Sequence, residues 1–120
     1  MEVRIGPYRK NRATRVKIEP HDTWSMDCTL AMIIHPMLVQ LKDTKHGYPS
    51  GLTEESWNDI LDEMIWAFGY KSKEMDAGDM CADKCSNFGD PVCKACINET
   101  QERLTNAFRL FGKHYENLWD

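Results

Sequence analysis

Two stretches near the N-terminus, residues 2–5 and 15–19, alternate apolar and polar side chains. A period of two residues is typical of a β-strand with one apolar face. A polar stretch over residues 8–14 separates them, and Pro20 closes the segment. The pattern therefore predicts two short strands joined by a polar loop that is longer than the commonest hairpin loops. The alternating apolar residues are Val3, Ile5, Val16 and Ile18.

A first helix is predicted from the apolar residues that follow at helical spacing. Asp22 is placed to cap the free amides at its start, and Pro36 lies inside it. Because proline lacks a backbone donor and clashes with the preceding turn, we expect the helix to kink near residues 33–35 or to split in two. The apolar positions are Trp24, Cys28, Leu30, Ala31, Ile33, Ile34, Met37, Leu38 and Leu41.

A second helix has the most regular apolar spacing in the chain. Thr53 is suited to cap its first turn, and Gly69 is suited to end it. A last helix is predicted over about residues 98–119, where apolar residues again recur every three or four positions. The stripe of the second helix contains Trp57, Ile60, Leu61, Met64, Ile65 and Phe68.

Three amphipathic helices can close one core, so the sequence predicts a mainly α fold of the α+β kind. We expect a compact domain of three to four helices, with a short N-terminal β-hairpin and a Cys-rich loop between the last helices. A chain of 120 residues forms one domain. Its expected segments are a basic hairpin arm (1–20), a two-helix unit (21–69), a Cys-rich segment (70–97) and a C-terminal helix (98–120).

Hydropathy argues against a membrane partner and against secretion. The longest apolar stretch, Leu30 to Ile34, is far shorter than the roughly 20 residues that span a bilayer. The first residues contain no apolar region of the kind found in secretory signals. The sequence therefore predicts an intracellular, reducing compartment.

Charge is distributed unevenly along the chain. Residues 1–20 have a net charge of +4, which leaves −8 for residues 21–120 in a chain with a net charge of −4. A mobile basic loop is suited to bind nucleic acid or an acidic protein surface. The alternative is a solvated hairpin whose cations pair with the acidic helices of the same chain. The proposed partner-binding residues are Arg9, Lys10, Arg12 and Arg15.

Four cysteines lie within sixteen residues, in the pattern Cys81-x3-Cys85-x7-Cys93-x2-Cys96. Both halves can present two sulfurs to one ion, so the spacing and the reducing compartment predict a closed structural zinc site. The same near-symmetric spacing allows nested disulfides, Cys81 with Cys96 and Cys85 with Cys93. An iron–sulfur cluster or free thiols are further alternatives. Cys28 is expected to be a small buried residue of the first helix.

A second functional hypothesis is a metal-dependent hydrolase acting on a nucleotide or phosphodiester. If the first two helices packed suitably, acidic residues and a histidine would meet and could bind Mg²⁺ or Mn²⁺. A charged helix face is ordinarily just solvated, so this remains the alternative. Its candidate residues are Asp27, His46, Asp59, Asp62 and Glu63.

The first two predicted helices also resemble a group of small uncharacterised proteins of tailed bacteriophages. The resemblance covers about residues 14–68. It implies a phage origin and a setting in the host cytoplasm or the virion, without an activity. The matching positions are Asp22-Thr23-Trp24-Ser25-Met26-Asp27, Thr29-Leu30-Ala31, Pro36-Met37-Leu38, Gln40-Leu41-Lys42, Lys45-His46-Gly47, Trp57 and Leu61-Asp62-Glu63-Met64-Ile65.

The resemblance does not extend to the cysteine segment, and members of the group tend to have a longer acidic insertion after the His-Gly pair. Together with the basic arm, it makes a non-enzymatic phage accessory protein the favoured function, with a host or phage macromolecule as partner. A virion structural component is a further alternative. The sequence does not specify the oligomeric state.

Overall fold

The computed structural model of the protein describes residues 1–84 and 89–120. Within these ranges, an antiparallel two-stranded hairpin precedes four α-helices, which confirms the predicted mainly α fold with a small β part. The radius of gyration is 17.1 Å, whereas a compact chain of this length has about 13.6 Å. The chain extends 57 × 41 × 20 Å along its principal axes, so it is flat and elongated.

The hairpin consists of β1 (Glu2–Ile5) and β2 (Thr14–Lys17). Every residue of both strands is exposed, so neither face of this ribbon is covered by the helices. The register places Val3 opposite Val16 on one face and Arg4 opposite Arg15 on the other. The alternation seen in the sequence therefore separates an apolar face from a charged face, and both are in contact with solvent.

The main core forms between α1 (Met26–Thr44) and α2 (Glu54–Ser72). The apolar stripes of the two helices face each other, and Phe108 and Phe111 of the last helix contact Phe68 edge-to-face at 5.3 and 4.9 Å. Such contacts add about 0.5–1.5 kcal/mol each to the burial of the rings. The buried residues of this core are Ala31, Leu38, Trp57, Leu61, Met64 and Phe68.

The predicted start of the first helix is wrong. A single 3-10 turn occupies Pro20–Thr23, and α1 begins only at Met26. Asp22 does not cap α1, because its carboxylate accepts the backbone N–H of Glu19 at 2.7 Å instead. The prediction that the helix splits at Pro36 is also wrong, because α1 continues unbroken through this residue to Thr44. Pro36 is exposed, where water can satisfy the carbonyl that the ring leaves without a donor.

The predicted cap of α2 is confirmed, since the Thr53 hydroxyl accepts the backbone N–H of Ser56 at 3.1 Å. The predicted stop at Gly69 is wrong, because α2 continues to Ser72. Gly69 instead allows α1 to approach closely. A Cβ at this position would lie 3.1 Å from Nε2 of His35.

The C-terminal half contains α3 (Ala77–Cys81), a 3-10 turn at Ala82–Lys84 and α4 (Pro91–Lys113). The last helix begins seven residues earlier than predicted. Asp90 caps it by accepting the backbone N–H of Val92 at 2.9 Å, and proline at the first helical position supports this start. A small second core forms where α3 and α4 meet α2, from Ala67, Ala77, Leu104 and Ala107.

Candidate functional sites

Most cationic side chains of the hairpin arm have no carboxylate partner in the described part of the chain. In residues 1–84 and 89–120, no carboxylate lies within 4 Å of any arginine of the arm or of Lys10. Among the side chains of the arm in these ranges, only Lys17 forms an ion pair, with Glu19 at 3.7 Å. The alternative in which the arm neutralises the acidic helices of its own chain is thus not observed. The unpaired cations are Arg4, Arg9, Lys10, Arg12 and Arg15.

The loop of the arm is ordered by one of these cations. Nε of Arg12 donates to the carbonyl of Gly6 at 2.7 Å, and Gly6 donates to the carbonyl of Ala13 at 2.8 Å. The Arg12 guanidinium lies 5.9 Å from the ring centre of Tyr8, which is 92% exposed. The loop therefore presents an aromatic ring among positive charges at the tip of the arm.

On the charged face of the ribbon, Arg4 and Arg15 are directly opposed. Opposed residues on neighbouring antiparallel strands have Cβ atoms only about 4.5–5.5 Å apart, so like charges there destabilise the pair. No carboxylate of the described residues lies within 4 Å of either guanidinium group, although Glu2 lies on the same face of the ribbon. An external anion between the two guanidinium groups would convert the repulsion into attraction.

The base of the arm is attached to the helices by charge. The N-terminal ammonium lies 3.0 Å from Oδ2 of Asp22. The backbone N–H of Glu19 and this ammonium hold the pKa of the Asp22 carboxyl below its ordinary value. The attachment orients the ribbon at the start of α1 and leaves its loop free.

The Cys-rich segment contains a disulfide between Cys81 and Cys96, whose Cα atoms are 6.2 Å apart. It joins the end of α3 to the second turn of α4. A sulfur that is bonded to another sulfur cannot be a thiolate ligand, so the predicted four-cysteine zinc site is replaced by a cross-link. Cys93 is buried and is not a free thiol, and Cys85 lies outside the described residues.

The sequence also predicted a Cys-rich loop between the last helices. Instead, Cys93 and Cys96 lie in the first two turns of α4, on its inner side. Cys28 lies in α1 with a free thiol, as expected, but it is only half-buried. Burial and the nearby Asp27 raise the pKa of the Cys28 thiol.

The acidic residues of the hydrolase hypothesis pair with separate cations. Oδ2 of Asp27 lies 3.1 Å from Nζ of Lys71, and this hydrogen bond lowers the pKa of Asp27. Asp62 pairs with Lys42 on the neighbouring helix. Each contact joins α1 to α2 at the surface, so both carboxylates help to hold the two helices together.

The remaining candidates are also apart. Glu63 forms a two-pronged contact with Arg103 of α4, with Nε–Oε2 and Nη2–Oε1 distances of 3.0 Å. His46 pairs with Asp120, and Asp59 is exposed. Among residues 1–84 and 89–120, no three metal-ligating side chains converge. The convergence that a metal-dependent hydrolase needs is not present in this part of the chain.

An apolar groove runs between α1 and the segment after α4, with a volume of about 710 Å³. Met37 and Tyr115 form its exposed rims, at 66% and 64% exposure. Ile34, Leu41 and Phe111 line its floor. The groove borders the main core, since Ile34 and Leu41 also pack against that core.

A smaller pocket of about 250 Å³ lies between the loop after α1 and the C-terminal segment. Three aromatic side chains line it, from Tyr48, Trp57 and Trp119. Asp120 closes one side, accepting the backbone N–H of His46 at 2.6 Å and contacting its Nδ1 at 2.8 Å. These contacts with His46 lower the pKa of the Asp120 carboxyl.

Sequence reasoning did not identify this pocket. Tyr48 follows α1 and Trp119 follows α4, and neither lies in a recognisable motif. The polar, glycine and proline residues of positions 43–51 indicate a loop, but they do not indicate a pocket. A pairing between that loop and the C-terminal segment depends on the tertiary fold alone.

No family model, curated protein or solved structure matches the chain. None of the helices in residues 1–84 and 89–120 is long and apolar enough to cross a membrane.

Proposed function

We propose that the protein is a small, non-enzymatic phage accessory protein that binds an anionic macromolecule of the host or the phage through its N-terminal arm. The observation that carries the proposal is the set of arm cations that have no carboxylate partner within the described residues. The resemblance of residues 14–68 to phage proteins supports a setting in the host cytoplasm or the virion.

Three properties of the arm favour a role in partner binding over the alternative of a hairpin that contacts only water. Both strands are exposed along their length, so a partner can reach either face. The opposed Arg4 and Arg15 cost stability that an external anion would recover. The loop is held by the Arg12–Gly6 hydrogen bond, which reduces the entropy that is lost when a partner orders it.

Charge also limits the form of the complex. Residues 21–120 have a net charge of −8, so the helical body repels the anion that the arm attracts. The complex is therefore expected to be local, confined to the arm, and sensitive to salt. A duplex nucleic acid and an acidic protein segment are the two partner types that meet this requirement.

The test compares three proteins by fluorescence anisotropy with two labelled probes, a 20-bp DNA duplex and polyglutamate. The arm variant changes Arg9, Lys10 and Arg15 to Ala and keeps Arg12, which orders the loop. A body variant changes three exposed cations of the helices to Ala and gives the same change in net charge: Lys73, Lys94 and Lys113.

We expect the arm variant to lose most of its affinity for at least one probe, and the body variant to retain it. With the duplex, the slope of log K against log salt concentration should be less negative in the arm variant. The expected change in this slope is up to about 2.7 for three lost phosphate contacts. The melting temperature should not fall, because all three side chains are exposed and the loss of Arg15 also removes its repulsion with Arg4. Equal losses in the arm and body variants would show a general charge effect and reject the proposal.

A further inference from the structure

We propose that the pocket formed by Tyr48, Trp57, Trp119 and Asp120 binds an organic ammonium group, with quaternary or methylated ammonium as the preferred form. This inference is independent of the arm and assigns a second binding site to the chain. Its basis is the combination of three aromatic rings and one carboxylate around a volume of about 250 Å³. Aromatic faces attract a cation through their quadrupole, and such cages recognise quaternary ammonium groups.

The aromatic residues divide into a fixed floor and open walls. Trp57 is 2% exposed and is held by an edge contact with His114 at 5.5 Å, so its indole cannot move without disturbing the core. Tyr48 and Trp119 are 55% and 75% exposed. Rings that stand this far into solvent without a partner contribute little to folding, whereas a ligand placed between them would cover their surfaces.

The carboxylate of Asp120 gives the pocket its charge preference. Two contacts from His46, 2.6 Å from the backbone nitrogen and 2.8 Å from Nδ1, fix its position at the pocket wall. An anionic wall beside aromatic faces favours a cation and disfavours a phosphate or carboxylate ligand. Such a ligand gains from the rings and from the carboxylate together.

The other charges near the pocket do not reverse this preference. Nζ of Lys45 lies 3.9 Å from Oε1 of Glu54. His46 and, to a smaller extent, Lys45 lower the pKa of Asp120, so the carboxylate stays ionised. No lysine or arginine lines the pocket itself, and His46, which does, contacts the Asp120 carboxylate. Removing a methylated ammonium from water costs less free energy than removing a primary ammonium, which is strongly hydrated. We therefore expect the methylated form to bind better in an aromatic site.

The first experiment is a titration with choline, followed by the indole N–H resonances of the four tryptophans. The matched control ligand is 3,3-dimethylbutan-1-ol, which has the shape of choline without its charge. We expect choline to shift the resonances of Trp57 and Trp119 and to leave Trp24 unchanged. The neutral analogue should bind at least tenfold more weakly, because it lacks the attraction to the rings and the carboxylate.

Variants separate the role of the pocket from general effects. Trp119→Leu and Asp120→Asn should each weaken choline binding several-fold. The melting temperature should be unchanged for Trp119→Leu, since Trp119 is exposed, and should fall only slightly for Asp120→Asn, which loses the charge that contacts His46. Trp24→Leu removes an equally exposed tryptophan elsewhere and should leave binding unchanged. Equal binding of choline and the neutral analogue, or no shifts up to roughly 50 mM choline, well above a millimolar Kd, would overturn the proposal.

A second titration identifies the source of the ammonium group. A peptide with one trimethyl-lysine is compared with the same peptide with unmodified lysine and with free choline. Tenfold tighter binding of the methylated peptide than of choline would identify a modified protein as the ligand. Equal binding of the methylated peptide and choline would identify a small molecule, with the peptide backbone making no contact.

Discussion

The Cys81–Cys96 disulfide gives the sharpest prediction on stability. The bond closes a loop with a sequence separation of 15 between α3 and α4. Cross-linking a chain stabilises it mainly by restricting the unfolded state, and a loop of this length corresponds to about 3 kcal/mol at 25 °C. Changing both cysteines to Ala removes this contribution and also the packing of the buried Cys81 sulfur, worth about 1 kcal/mol.

The experiment separates these two contributions by urea unfolding in oxidising and in reducing buffer. In reducing buffer, the natural protein and the double variant differ only by the packing of two side chains. In oxidising buffer they differ by that packing and by the bridge. The difference between the two comparisons should be about 3 kcal/mol, which corresponds to a shift of the urea midpoint by about 1–3 M.

Two results check the reasoning. A variant with Cys28→Ala should have the same free energy of unfolding as the natural protein in both buffers, to within about 0.5 kcal/mol, because this thiol is free and half-buried. If the natural protein and the double variant differ equally in the two buffers, the bridge contributes nothing to stability. The entropic argument from loop length would then be refuted for this chain.

Three further predictions concern the core and its titratable groups. Gly69→Ala should destabilise the natural protein, because the new Cβ would press on His35. In a His35→Ala background the same change should stabilise the protein by about 0.5–1 kcal/mol, because alanine favours the helix more than glycine does. Urea midpoints that fall in both backgrounds would contradict this prediction. Burial, and to a smaller extent neighbouring cations, lower the pKa of His114 in the folded protein. The neutral imidazole should therefore contribute fully to stability above about pH 6.5, the ordinary pKa of histidine. This contribution should be lost as the pH falls through the lower pKa of the folded state. His114→Phe should flatten that part of a plot of stability against pH, and an unchanged slope would exclude His114 as its origin. Cys93→Ser should lower the melting temperature, since this sulfur is buried and not free, and an unchanged value would argue against a structural role for it.

The sequence predicted the regular elements better than their ends. In α2, one stripe of apolar residues at helical spacing and a Thr53 cap gave a single consistent interpretation, and the structure confirms both. The hairpin followed from its alternation. The predicted stop at Gly69 was wrong because the absence of a side chain there serves the packing of α1 against α2. A local rule cannot distinguish these two uses of glycine.

The cysteine segment shows where sequence spacing is ambiguous. Four cysteines at these intervals suit a tetrahedral ion and a cross-linked helical hairpin equally well, and the predicted compartment favoured the ion. The start of α4 at Asp90-Pro91 was the overlooked signal, because it places Cys93 and Cys96 on a helix. The pocket of Tyr48 and Trp119 had no comparable signal, since its two walls are brought together only by tertiary packing.

The two faces of the ribbon have a consequence for solubility. Val3, Ile5, Val16 and Ile18 are 41–56% exposed on a short β-ribbon, which is a surface suited to self-association. Charges on such a ribbon keep neighbouring molecules apart. The cations of the arm therefore protect the protein from edge-to-edge aggregation in addition to attracting a partner. Removing these cations is expected to lower the concentration up to which the protein stays monodisperse. When no anionic partner is bound, the positive charges of neighbouring arms repel each other.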